Sequence, residues 1–196
     1  MGVVIPVKLN LLIKQGADYA LSIKVLQGEP IKVSADVQPG APAIPIQPLR
    51  SPLVAGTNID FDGIDYELSE DVGLGAIALP VVAIPLPLER NAKGQVVADL
   101  AGCTARSQIR KQSGELIAIF TPAIDPDGFI LLSLTNIQTS ALPANLVAGA
   151  SINESELQLR EPQPCDYLWD VELIYPDSRI ECPLEGAVLV AREVTV

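Results

Sequence analysis

Histidine is missing from the sequence altogether. Without it no Ser-His or Cys-His pair can form, which removes the commonest means of activating a nucleophile at neutral pH, and no imidazole is available to hold a metal. A pair of convergent carboxylates remains as a route to hydrolysis. The Asp and Glu residues fall mostly in turns or at outward strand positions, so the chain is read as non-catalytic and no cofactor is expected. Cysteine is scarce as well. Cys103, Cys165 and Cys182 are too scattered for a zinc site, and an odd number does not suit a secreted disulfide framework. A reducing cytoplasm is the expected place of synthesis.

Basic residues are few, 13 Lys and Arg against 24 Asp and Glu, for a formal charge of −11. Affinity for nucleic acid comes from cations displacing phosphate counterions, so nucleic acid is not an expected partner. Met1 to Lys8 lacks the basic stretch and long apolar run of a signal peptide, and no export is expected. The uncharged run Val72 to Leu88 is interrupted by Gly73, Gly75, Pro80, Pro85 and Pro87, which would break a spanning helix. It reads as buried strands, and no membrane partner is expected. Aromatics make up only 4% of residues, leaving Val, Ile, Leu and Ala to build the core, and such side chains suit sheets. Seventeen prolines and fourteen glycines, spread along the chain, leave little room for helix.

Strand patterns recur instead. Val7 to Leu26 shows two apolar stretches joined at Gln15-Gly16, with Tyr19, Leu21, Ile23 and Val25 on one face. Gln27 to Pro52 shifts to a spacing of Pro, Gly and Ala that suits extended surface or edge structure. Thr57 to Phe61 and Ile64 to Leu68 flank Asp62-Gly63, a hairpin signal, and Ala76 to Ile84 reads as a further strand. Val96 to Leu100 and Cys103 to Arg110 follow, the latter with Ala105, Ser107 and Ile109 facing inward. Glu115 to Phe120 and Phe129 to Leu134 flank Asp125-Pro126-Asp127-Gly128, a tight-turn sequence. Thr139 to Leu142 reads as one helical turn, Ala144 to Glu156 as a loop, and Leu157 to Arg160 as a strand. The clearest strand carries Tyr167, Trp169, Val171, Leu173 and Tyr175 on one face. A C-terminal hairpin of Ile180 to Glu185 and Ala187 to Val190 completes the pattern.

Three segments resemble a recurrent pattern of tailed-phage proteins: Ile13-Lys14-Gln15-Gly16-Ala17-Asp18-Tyr19, Leu100-Ala101-Gly102-Cys103-Thr104-Ala105-Arg106-Ser107-Gln108-Ile109-Arg110-Lys111, and the ending from Tyr167-Leu168-Trp169-Asp170-Val171-Glu172-Leu173 through Leu184-Glu185-Gly186 to Glu193-Val194-Thr195. Together they are similar to the N-terminal immunoglobulin-like domain of phage baseplate upper proteins. Leu53-Val54-Ala55-Gly56-Thr57 through Leu68-Ser69 and Gly75-Ala76-Ile77-Ala78-Leu79-Pro80-Val81 is similar to a second phage-associated β-motif. The fold this resemblance implies is all-β: an immunoglobulin-like β-sandwich, residues 1–26 plus 93–196, with a large proline-rich β insertion, residues 27–92, between its first and second strands. A further addition, roughly Pro143 to Pro164, is absent from the compact form. The implied role is a structural component of a bacteriophage virion, a tail or baseplate adaptor or a head decoration protein, made in the host cytoplasm. It would bind other virion proteins and copies of itself.

The apolar residues Ile31, Val33, Ile44, Ile46, Leu49 and Leu53 lie among prolines that should keep them out of a central sheet. They are expected to be exposed on a projecting arm that contacts another subunit. Arg106 and Arg110, alternating outward with Lys111 beyond them, are candidates for ion pairs with an acidic segment such as Glu67 to Asp71 of a neighbour. Asp60, Asp62 and Asp65 around Gly63 offer oxygens to calcium but lack the twelve-residue ligand spacing, and a solvated hairpin is the plainer reading. Trp169, Tyr167 and Tyr175 read as core. The alternative is a sugar-stacking platform, which would make the chain an adhesin for a host surface glycan.

Overall fold

The computed structural model describes residues 7–125, 127–146 and 152–192. The fold is all-β, with two six-residue helices among the described residues. The strands, in chain order, are β1 (Val7–Lys8), β2 (Leu11–Lys14), β3 (Tyr19–Lys24), β4 (Leu26–Lys32), β5 (Ala43–Pro45), β6 (Asn58–Phe61), β7 (Ile64–Glu67), β8 (Ala78–Pro80), β9 (Lys93–Val97), β10 (Thr104–Lys111), β11 (Leu116–Ile119), β12 (Thr121–Asp125), β13 (Phe129–Leu134), β14 (Tyr167–Ile174) and β15 (Ile180–Ala191). Helices α1 (Asn136–Ala141) and α2 (Glu154–Leu159) lie between β13 and β14. The chain divides into two compact units, one from residues 1–23 and 100–196, the other from Lys24–Asp99.

In the first unit a six-stranded sheet runs β1-β15-β14-β10-β11, with β2 also on β15, and a three-stranded sheet runs β12-β13-β3. β14 alternates as its sequence dictates: Tyr167, Trp169, Val171 and Leu173 are buried, and the side chains between them are at least partly exposed. Ser107 and Ile109 of β10 are buried, as is the ring of Phe120. That ring stands 6.1 Å from Trp169 on the large sheet and 6.1 Å from Tyr19 on the small one, so it joins the two inner faces. Pro122 sits in β12, an outer strand, where proline is tolerated.

β1 and β2 both run parallel to β15, in register Lys8 with Glu185 and then Leu11 with Val188. Leu9 and Asn10 form the step between them. The Trp169 indole N–H donates to the Leu9 carbonyl at 2.8 Å. Gly186 faces the same carbonyl so closely that a Cβ there would lie 2.0 Å from it. Asn10, 6% exposed, accepts from the Ala187 N–H and donates to the carbonyls of Leu157 and Arg160.

The second unit is an internal duplication with a period of 35 residues (Val33 to Leu68). Val33-Ser34-Ala35-Asp36-Val37-Gln38-Pro39-Gly40-Ala41-Pro42-Ala43-Ile44-Pro45-Ile46 recurs as Leu68-Ser69-Glu70-Asp71-Val72-Gly73-Leu74-Gly75-Ala76-Ile77-Ala78-Leu79-Pro80-Val81. Backbone pairing repeats with it. Val33 bridges Ile46 as Leu68 bridges Val81, and Val37 bridges Leu88 as Val72 bridges Leu53. Equivalent positions face one another where β5 meets β8, Ile44 opposite Leu79, and where β6 meets β9, Asp60 opposite Gln95. Asp36 accepts from the Arg90 N–H and Asp71 from the Ala55 N–H, again one period apart. The two copies are therefore related by a pseudo-two-fold axis, and each completes the pairing of the other.

That duplication corrects the expected arm. Ile31, Val33, Ile44, Ile46 and Leu49 are buried in the unit's own core with Phe61, Tyr66, Leu68, Leu79 and Leu88, and Leu53 is half-buried against it. Proline rules out long ladders, but single bridges and three-residue strands need few N–H donors, so a Pro-rich segment can still enclose a core. Residues 93–97, assigned to the sandwich, belong here as β9, which pairs with β4 and β6. Gly94 has no side chain to meet the Phe61 ring, 2.5 Å from where its Cβ would be. The unit follows β3, not a first strand, because Gly16 at φ +76° turns the chain between β2 and β3.

Other expectations also change. The strand opposite β13 is β12, not Glu115 to Phe120, which instead supplies β11 on β10. Ala76 to Ile84 contains only β8, flanked by a bridge at Val81. Leu157 to Arg160 belongs to α2 and its cap, because Asn153 and Glu156 form a reciprocal capping box that starts a helix. Pro126, the termini and part of the loop at 144–156 lie outside the described residues.

Candidate functional site

The outer face of the six-stranded sheet carries a groove, and its floor follows from strand register. β10, β14 and β15 place Gln108, Asp170 and Glu185 in one row and Arg110, Leu168 and Ala187 in the next, while Arg106 lies opposite Glu172. The segment from α2 to Pro162 roofs one end. Its anchors meet two buried polar groups, Asn10 and Asp166. Gln158 exchanges two hydrogen bonds with the Asn10 backbone, at 2.9 and 2.8 Å, in place of a missing strand neighbour. Asp166, its side chain 1% exposed, accepts from Arg160 at 2.5 Å and from the Gln163 N–H at 2.6 Å. Leu157 packs inward, whereas Leu159 is 85% exposed. The result is a cavity of about 400 Å³ lined by Lys8, Arg110, Gln158, Pro162, Leu168, Trp169, Asp170 and Glu185, among others. A shallower polar cavity of about 250 Å³ adjoins it, sharing Gln108, Arg110 and Asp170 and reaching Arg106 and Glu172.

Arg106 and Arg110, both expected at a contact, do lie on this exposed face. Arg106 is already ion-paired with Glu172 of its own sheet. Arg110 donates to the Gly114 carbonyl at 3.0 Å and to the Gln108 side chain. The other expected contact residues, on the second unit, are absent from the groove because they form that unit's interior. Trp169 is 2% exposed and Tyr167 7%, so the aromatic face is core and offers no sugar platform. Tyr175 is half-buried beneath the Arg179 guanidinium, 3.8 Å from its ring centre.

The acidic hairpin of the second unit has a cation of its own. Lys24 Nζ stands 2.7 Å from both Asp60 and Asp65, and the second Asp60 oxygen accepts from the Gly63 N–H. Burial pulls the Lys24 ammonium down, but its hydrogen bonds and charge interactions with Asp60 and Asp65 outweigh this, holding it above its ordinary value. An ammonium thus fills the place considered for calcium, and no group of three metal-ligating side chains gathers among the described residues.

No protein-family model matches the chain, and no curated protein matches it in sequence. No helix among the described residues is long and apolar enough to cross a membrane.

Asp170 is the electrostatic weak point of the groove. Burial first, and then Glu172 and Glu185, raise its carboxyl above the ordinary value of 3.8, with Arg110 and Arg106 pulling the other way. A raised carboxyl keeps its proton in the folded state at pH values where the unfolded chain has lost it. Its penalty is therefore absent below the ordinary value and develops as pH rises through the raised one. Asp170→Asn should stabilise the protein at pH 7 by up to about 1 kcal/mol, the scale of a like-charged cross-strand pair. The gain should vanish near pH 3 in urea titrations. Equal stability of the two proteins at pH 7 would contradict it.

Asn10, Gln158, Asp170 and Glu185 come from distant parts of the chain, so no local motif announced the groove. The duplication did have a local signal, the repeated Ser-x-Asp-Val-x-x-Gly-Ala-x-Ala-(Ile/Leu)-Pro, visible on aligning the insertion with itself.

Proposed function

We propose that the chain is a structural component of a tailed-phage virion, a tail or baseplate adaptor or a head decoration protein, acting through protein contacts. In this reading the first unit is an immunoglobulin-like sandwich and the second is the proline-rich insertion it carries. The resemblance of residues 13–19, 100–111 and 167–195 to phage baseplate proteins supplies the class. The observation that favours a contact role is the groove, where a buried Asn and the ion pair of Arg160 with the buried Asp166 hold α2 so that a cavity stays open on the sheet. The aromatic core counts against the glycan-binding alternative, which needs the rings exposed.

Antibody raised against the purified chain and applied to particles from the bacterium carrying the gene should decorate tail or head at a fixed repeat. Recovery of the protein only in the soluble lysate, with none in purified particles, would sink the reading.

A further inference from the structure

We propose that the groove roofed by α2 receives an extended segment of a neighbouring protein subunit bearing lysine or arginine, the basic side chain seating against Asp170 and Glu185. This deepens the contact role above and rests on it. The sequence pointed to an acidic partner for Arg106 and Arg110, and the pairing reverses that sign. Arg106 is neutralised by Glu172, Lys111 by Glu115 and Arg160 by Asp166, while Lys8 reaches Glu161 at 3.6 Å. Arg110 turns to a carbonyl and a carboxamide. Asp170 and Glu185 stand directly opposite each other on β14 and β15, and neither has an ion-pair partner among the described residues.

Lys8, in register with Glu185, is ion-paired with Glu161, so Asp170 and Glu185 are left against Arg110 and the floor is a net acceptor of positive charge. Like charges facing across a ladder cost stability, so a cation arriving between them relieves a conflict already present in the fold. The apolar lining fits the same occupant. Leu168, 38% exposed, with Pro162 offers contact to the methylene stem of a lysine or arginine. About 400 Å³ holds a few side chains of an extended chain and is too small for a folded element. No group of three metal-ligating side chains gathers at these two carboxylates among the described residues, so the site does not suit a divalent ion.

The test uses the full chain and two capped peptides, acetyl-Leu-Lys-Val-Lys-amide and acetyl-Leu-Glu-Val-Glu-amide, in titration calorimetry at low salt. The lysine peptide should bind saturably, the glutamate peptide should not, and Asp170→Asn with Glu185→Gln should weaken binding about tenfold without lowering the melting temperature. No heat with the lysine peptide to millimolar concentration, equal binding of both peptides, or undiminished binding to the double variant would each overturn the proposal. Particle labelling is independent of these outcomes, so a failed occupant and a failed virion role are told apart.

Discussion

Replacing Trp169 with alanine should destabilise the first unit by about 3–5 kcal/mol, the range for removing a fully buried large aromatic. Three losses combine there. The indole is 2% exposed, so nearly all its transfer energy is forfeited. Its edge contact with Phe120, at 6.1 Å and 64°, is what links the large sheet to the small one. The Leu9 carbonyl also loses its 2.8 Å donor at the step between β1 and β2. Trp169→Phe should cost less, because it keeps a ring against Phe120 and loses chiefly the hydrogen bond, about 1 kcal/mol, plus part of the area. Urea unfolding followed by circular dichroism measures both. A loss under about 1 kcal/mol for the alanine variant would show that the aromatic junction does not hold the two sheets together.

Gly186→Ala should cost about 3 kcal/mol through the addition of one methyl group. Its Cβ would lie 2.0 Å from the Leu9 oxygen and 3.0 Å from the Trp169 Nε1. The first of these is backbone, and it cannot rotate away as a side chain would. Relief requires moving the β1–β2 step off β15, which also disturbs the Asn10 bonds to Ala187, Leu157 and Arg160 that hold α2 over the groove. Gly73→Ala is the control, since nothing lies within 4 Å of its would-be Cβ, and it should stay within about 0.5 kcal/mol of the parent. Equal melting temperatures for the two variants would mean that the close approach at Gly186 is not a constraint.

The two glycines differ only in what stands next to them, and that separates the two kinds of information in this chain. Alternation in Tyr167 to Leu173 was sufficient to place Trp169 in the core, because a strand's two-residue period assigns each side chain a face before any partner is known. The Asp62-Gly63 turn between β6 and β7, the scarcity of helix and the all-β class were likewise local consequences of residue type.

Where local rules misled, a distant partner decided. Prolines around Ile31, Val33, Ile44, Ile46 and Leu49 do prevent a long ladder, and exposure seemed to follow. A second copy of the same segment closes over the first and buries these side chains instead. Asn153 to Leu159 took a helix because the capping bonds are local, but what α2 does was set by Asn10, on the other side of the unit in sequence. The sign of the groove was also non-local. Arg106 and Arg110 read as a basic patch along β10, and only the register of β14 and β15 brings Glu172, Asp170 and Glu185 against them. A sequence states which charges a strand carries. The net field of a face depends on which strands pair and in what register, and those are fixed by long-range packing.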